Sequence, residues 1–187
     1  MRTLAILIPL LLTNLFGYAQ SNSPNPSGDS LSPMELNLLN LKNMEANLES
    51  MVGQPAPAFA LLTTNGDSLR LTDFRGQVVL LDFWEHWCKP CIEKLPSTEA
   101  MYQELNAEGL QVVGLVHTQG QDEAALKIMD RKGITFPVVW GTKETKEDYF
   151  NFAVPVYILI DREGIVRFAS LGYDGRLTRK AKALLKE

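Results

Sequence analysis

The seven residues Val78-Val79-Leu80-Leu81-Asp82-Phe83-Trp84 include a single polar side chain. A run that is apolar on both faces, with no alternation, fits a strand at the centre of a sheet that helices cover on each side. Gln111 to His117 repeats the pattern. Between them, Ile92, Leu95, Met101 and Leu105 recur at helical spacing, which predicts a helix from about Cys88 to Ala107, closed by Gly109 and kinked at Pro96. Strand, helix and strand of these lengths imply a right-handed parallel crossover. Upstream, Ala58 to Thr64 and Ser68 to Thr72 flank Asn65-Gly66, a hairpin turn signal. Downstream, helices are predicted over Asp122 to Arg131, ending at Gly133, and from an N-cap at Thr142 to about Phe150, with a short strand over Thr135 to Val139 between them. Val156 to Asp161 and Ile165 to Ser170 surround Arg162-Glu163-Gly164 as a second hairpin, and Leu177, Ala181 and Leu184 lie along one side of a last helix near Asp174 to Lys186. The fold class is α/β, a central mixed sheet flanked by helices.

Two segments precede this unit. Arg2, the apolar stretch Leu4 to Leu12, and Gly17-Tyr18-Ala19 before Gln20 have the layout of a secretory signal peptide cleaved after Ala19. The apolar stretch is short for a membrane span and is interrupted by Pro9, Thr13 and Asn14, which disfavours an uncleaved anchor. Residues 20–32, rich in Ser, Asn and Pro, read as a linker. Pro33 to Met51 then sets Leu38, Leu41, Met44, Leu48 and Met51 on one helical stripe, expected to pack on its own domain rather than against a second copy. The chain therefore divides into a signal peptide (1–19), a linker with an amphipathic helix (20–51) and a core domain (52–187), and a periplasmic monomer is expected. The full chain has 18 basic and 22 acidic residues, and loss of Arg2 with the leader takes the net charge from −4 to −5. Mild acidity without a basic stripe argues against nucleic acid.

Both cysteines of the chain fall in Cys88-Lys89-Pro90-Cys91. A bridge across so small a loop removes little entropy from the unfolded chain, so the pair is retained for reactivity rather than as a staple. A helix opening at Cys88 turns its free N–H groups and positive dipole end toward that sulfur and favours thiolate, which makes Cys88 the nucleophile. Cys91, one turn further in, is placed to resolve a mixed disulfide. Pro90 suits a first turn that has no use for its missing N–H, and Lys89 adds positive charge that solvent screens.

The segment Leu81-Asp82-Phe83-Trp84-Glu85-His86-Trp87-Cys88-Lys89-Pro90-Cys91 resembles the active-site segment of the thioredoxin superfamily. With Gly53-Gln54-Pro55-Ala56-Pro57-Ala58-Phe59, Leu71-Thr72-Asp73-Phe74-Arg75-Gly76 and the leader, the resemblance narrows to its exported TlpA/ResA-like branch and extends from about Val52 to the C-terminus. It implies a thioredoxin-like fold with an N-terminal hairpin extension, and a thiol-disulfide oxidoreductase without a cofactor. It also implies a cis-proline facing the dithiol, matched by Pro155 in Val154-Pro155-Val156-Tyr157, with the Val154 backbone left open to a substrate strand. Asp82 matches the buried acid that thioredoxins place beneath the dithiol, at a position where many members of the TlpA/ResA-like branch have an uncharged polar residue, and with its pKa raised by desolvation it would accept the proton of Cys91. Trp87 is expected to shield the dithiol and form part of a docking surface together with Lys89 and Pro90, while Glu85 and an exposed His86 stand ready to influence substrate preference. The branch often carries a glutamate where this sequence has Lys94. The adjacent Glu93 is turned by roughly 100° on a helix and does not inherit that role.

The resemblance further implies a reductase of client proteins bearing disulfides or thiols, re-reduced by a membrane electron donor and working in cytochrome c maturation or thiol repair. A different class of function uses the same sulfurs. Cys88, Cys91, His86 and His117 would suffice in number for copper or zinc, although the histidines lack tight ligand spacing. A peroxidase is disfavoured because the chain offers no further cysteine.

Overall fold

The computed structural model describes residues 31–117, 120, 122–150 and 152–187; the expected leader and most of the expected linker lie outside them. Helix α1, Pro33–Ser50, opens on a capping box in which Ser32 and Glu35 each accept the other's backbone N–H. A two-stranded antiparallel hairpin follows, β1 (Ala60–Leu62) with β2 (Ser68–Arg70), turning through Gly66 at φ 91°. The remaining elements are β3 (Val78–Trp84), α2 (Lys89–Leu105), β4 (Leu110–Val116), α3 (Asp122–Lys132), β5 (Val138–Trp140), α4 (Lys143–Asp148), β6 (Val156–Ile160), β7 (Val166–Leu171) and α5 (Leu177–Leu184). Among the described residues no helix is long and apolar enough to cross a membrane.

The main sheet runs in the order β5-β4-β3-β6-β7, parallel from β5 to β3 and antiparallel from β3 to β7. Strand β3 is buried at every position, and its side chains alternate between two cores. Val78, Leu80 and Trp84 join Leu95 and Met101 of α2, Ile128 of α3 and Leu177 and Ala181 of α5 on one face. Val79, Leu81 and Phe83 join Met44 and Leu48 of α1, Leu61 and Leu69 of the hairpin and Tyr149 after α4 on the other. This is the expected mixed sheet with helices on both sides.

Three expectations need correcting. The stripe of α1 is buried only from Met44 onward, with Leu48 1% exposed, whereas Leu38 is 52% exposed and Leu41 is half-buried; the helix outruns the sheet edge it packs on. The strand anticipated over Thr135 to Val139 begins three residues later, because Thr135 and Phe136 donate their N–H groups to the Glu99 carboxylate of α2 and Pro137 has none to give. The last helix starts at Leu177, after Asp174 accepts the Arg176 N–H in a tight turn. Helix α2 continues through Pro96.

Candidate active site

Strands β3 and β6 are antiparallel neighbours with Phe83 opposite Val156, so the end of β3 and the start of β6 meet at one edge of the sheet. The dithiol follows the first and Pro155 precedes the second. Cys88 is the N-cap of α2, and Pro90 lies in the first turn. Here the sequence expectation and the geometry agree in kind: the backbone N–H of Cys91 donates to Cys88 Sγ at 3.2 Å, one of the free donors of a helix start meeting a sulfur. Cys88 and Cys91 are joined as a disulfide and are 3% and 1% exposed. The Val154-Pro155 peptide bond is cis, and the Val154 carbonyl oxygen lies 3.7 Å from Cys88 Sγ. Around the buried sulfurs, Trp87 is 66% exposed, and Lys89 and Pro90 are also exposed. Lys89 makes only a 3.9 Å surface pair with Glu93.

Beneath the motif, Asp82 is 1% exposed, opposite Gly114 on β4 and Tyr157 on β6. Burial pushes its carboxyl up to about 7, against a hydrogen bond from Thr98 that favours the ionised form. That bond, Thr98 Oγ1 to Asp82 Oδ2, is 2.8 Å long and fully buried. The other carboxyl oxygen, the Trp84 indole N–H and the Tyr157 hydroxyl are buried without a hydrogen-bond partner among the described residues. Burial holds the Tyr157 hydroxyl well above its usual range, so it stays protonated. Lys94 does not approach the acid; its ammonium sits 4.9 Å over the Tyr173 ring, which stacks edge-on against Tyr157.

Glu85, read from the sequence as a residue able to influence substrate preference, is buried. Its carbonyl accepts the Cys88 N–H at 3.0 Å, but its side chain is 4% exposed on the α4 side, with Oε1 3.7 Å from His117 Nδ1. Burial raises Glu85 to about 7 and holds His117 below its ordinary value. His117 Nε2 is 3.0 Å from the Thr142 carbonyl and 3.3 Å from the Thr145 hydroxyl, and a Cβ at Gly141 would collide with its ring. His86 is half-buried rather than fully exposed. Among the described residues no group of three or more Cys, His, Asp or Glu side chains forms a metal cage. Sequence reasoning missed Thr98; its signal was the spacing Cys91, Leu95, Thr98, which puts a hydroxyl on the inner face of α2.

Residues 52–169 match the family model described as AhpC/TSA family. The chain belongs to the AhpC/TSA family. Within it, the chain is similar to the thioredoxin-like protein YneN of Bacillus subtilis, with 33% identity over 64% of this chain and 71% of the relative. It is also similar to the thiol-disulfide oxidoreductase ResA of Geobacillus kaustophilus, with 33% identity over 62% and 67%. The thioredoxin domain of a thiol-disulfide oxidoreductase from Bacteroides vulgatus superimposes with TM-score 0.65 at 26% identity, covering 71% of this chain and 97% of that domain. A thiol:disulfide interchange protein from Bacteroides sp. gives TM-score 0.65 at 25% identity, covering 73% and 91%. With its cysteine pair at a helix start, this thioredoxin-like, ResA-like member of the family is a thiol-disulfide oxidoreductase.

Proposed function

We propose that the protein is an exported reductase of protein disulfides, periplasmic and re-reduced by a membrane electron donor, serving cytochrome c maturation or the repair of oxidised thiols. The observation that carries the dithiol chemistry is Cys88 Sγ at the mouth of α2, receiving the Cys91 N–H at 3.2 Å across from Val154 and Pro155. In the reduced enzyme Cys88 is the thiolate. It attacks a client disulfide, forming a Cys88-client S–S bond and releasing the client's other sulfur as thiolate. Cys91 then loses its proton to Asp82 and attacks Cys88 Sγ; the Cys88-Cys91 bond forms, the mixed disulfide breaks, and the client leaves with both electrons. The Val154 backbone aligns the client strand, and exposed Trp87, Lys89 and Pro90 supply the surface on which it docks. The leader expected at residues 1–19 supports export, and the name of the ResA relatives, thiol-disulfide oxidoreductase, supports the dithiol exchange itself.

The test is Cys91→Ser expressed in the native cell. The resolving sulfur is then missing, and client proteins should accumulate on Cys88 as mixed disulfides that a reductant releases and that Cys88→Ser abolishes. A Cys91→Ser protein that captures nothing through Cys88 would remove the reading.

A further inference from the structure

Cys91, Leu95 and Thr98 occupy successive positions on the inner face of α2, each 1% exposed or less. Seven residues make two helical turns, so Thr98 lies below Cys91 on the same stripe, and its hydroxyl crosses to the sheet to donate to Asp82 Oδ2 at 2.8 Å. Asp82 Oδ1 stays buried and unpartnered among the described residues. We infer that Thr98 is a positioning residue of the thiol-disulfide reaction: by holding Oδ2 from the dithiol helix it sets the pH at which Asp82 ionises and leaves Oδ1 to take the proton of Cys91. This inference rests on the base role proposed for Asp82.

The surroundings leave that task to Thr98. Opposite Asp82, β4 presents Gly114 and β6 presents Tyr157. The Tyr157 hydroxyl is neutral across the physiological range, held there by burial and by the Asp82 charge itself, which outweigh the opposite pull of the neighbouring Thr98 hydroxyl. Beyond it lie Tyr173 and then the Lys94 ammonium, 4.9 Å over the outer ring. From α5, Leu177 and Ala181 bring only apolar groups to this core. Burial therefore opposes ionisation, and the donated hydrogen bond favours it. In the step it serves, the Cys91 proton passes to the carboxylate, Cys91 Sγ bonds to Cys88 Sγ, and the client sulfur departs as thiolate with the bonding pair. A carboxyl that is still protonated cannot take that proton, so the rate of resolution follows the ionised fraction.

The experiment uses the full chain in the reduced state with Thr98→Val, Thr98→Ala, Thr98→Ser and Asp82→Asn. Two readouts are taken across pH: the 13C titration of the Asp82 carboxyl, and the single-turnover rate at which Cys91 resolves a mixed disulfide between Cys88 and a model thiol. Thr98→Val and Thr98→Ala should move the titration midpoint upward by about one pH unit, the worth of one hydrogen bond to a charged group. The inflection in the rate should move with it, slowing resolution about fivefold at pH 7, where the ionised fraction falls from about a half to about a tenth. Thr98→Ser keeps the donor and should restore both to the native position, and Asp82→Asn should erase the inflection. An unmoved midpoint in folded Thr98→Val and Thr98→Ala overturns the inference, and if Asp82→Asn still erases the inflection the base role of Asp82 survives it. A midpoint that moves while the rate inflection stays overturns the inference too, this time by removing Asp82 as the base.

Discussion

A carboxyl that is easier to protonate in the folded state than in the unfolded chain weakens the fold as pH rises, the reverse of a salt-bridged acid. Asp82 is such a group, raised by burial from 3.8 to about 7. Between about pH 4 and pH 7 the unfolded chain gives up this proton while the native state keeps it, so native stability falls across that window and levels off above it. A gap of about 3 pH units at ~1.4 kcal/mol each places the cost on the order of 4 kcal/mol at pH 8. Asp82→Asn removes the charge and keeps the shape. Urea unfolding of the disulfide-intact protein should show the variant about 2–4 kcal/mol more stable than the parent at pH 8 and equal to it near pH 4; equal stability at both pH values would mean that the carboxylate is solvated. Asp82 and the cysteines were legible because a charge inside an apolar strand and a Cys-x-x-Cys spacing are local facts. The burial of Glu85 was not legible, for the opposite reason. Its burial depends on His117 standing beside it after β4 and on α4 closing over both, a meeting of three segments that no local pattern encodes.

At the scale of the element, α1 shows how far a hydrophobic stripe can be trusted. Its capping box and Pro33 fix where it begins, and those signals are written in consecutive residues. Which part of the stripe is buried is set by the length of β7, against which it lies. Leu48 fills the core at 1% exposure, while Leu38 on the same stripe is half in water and Met34 is 79% exposed. Leu48→Ala should therefore cost about 2–4 kcal/mol in chemical denaturation, and Leu38→Ala within about 0.5 kcal/mol of nothing. A loss of similar size at Leu38 would show that the outer half of the helix is covered in solution. The shortened β5 teaches the same lesson: its β-favouring residues extend upstream, but Glu99 of α2 takes two of their N–H groups before the sheet can.

The whole molecule brings the reactive parts together by topology. Cys88 and Val154 are 66 positions apart, and they meet because β3 and β6 run antiparallel at the centre of the sheet, the end of one beside the start of the other. The same architecture limits how strongly the Cys88 thiolate is held. Among the described residues its sulfur receives one backbone N–H, from Cys91. The Lys89 side chain is 87% exposed and leans toward Glu93, so water screens it. Behind the helix lies the buried Asp82 carboxyl, hydrogen-bonded to Thr98 of α2, and a negative charge there disfavours a thiolate. A dithiol becomes a strong oxidant when its reduced form is heavily stabilised, and these groups do not provide that. The Cys88-Cys91 couple should thus equilibrate with dithiol redox buffers at pH 7 near the thioredoxin end of the scale, about −270 mV, rather than the oxidant end, about −120 mV. A midpoint near the oxidant end would mean that unseen donors reach Cys88, and it would reverse the direction of electron flow proposed for the enzyme while leaving its dithiol chemistry in place.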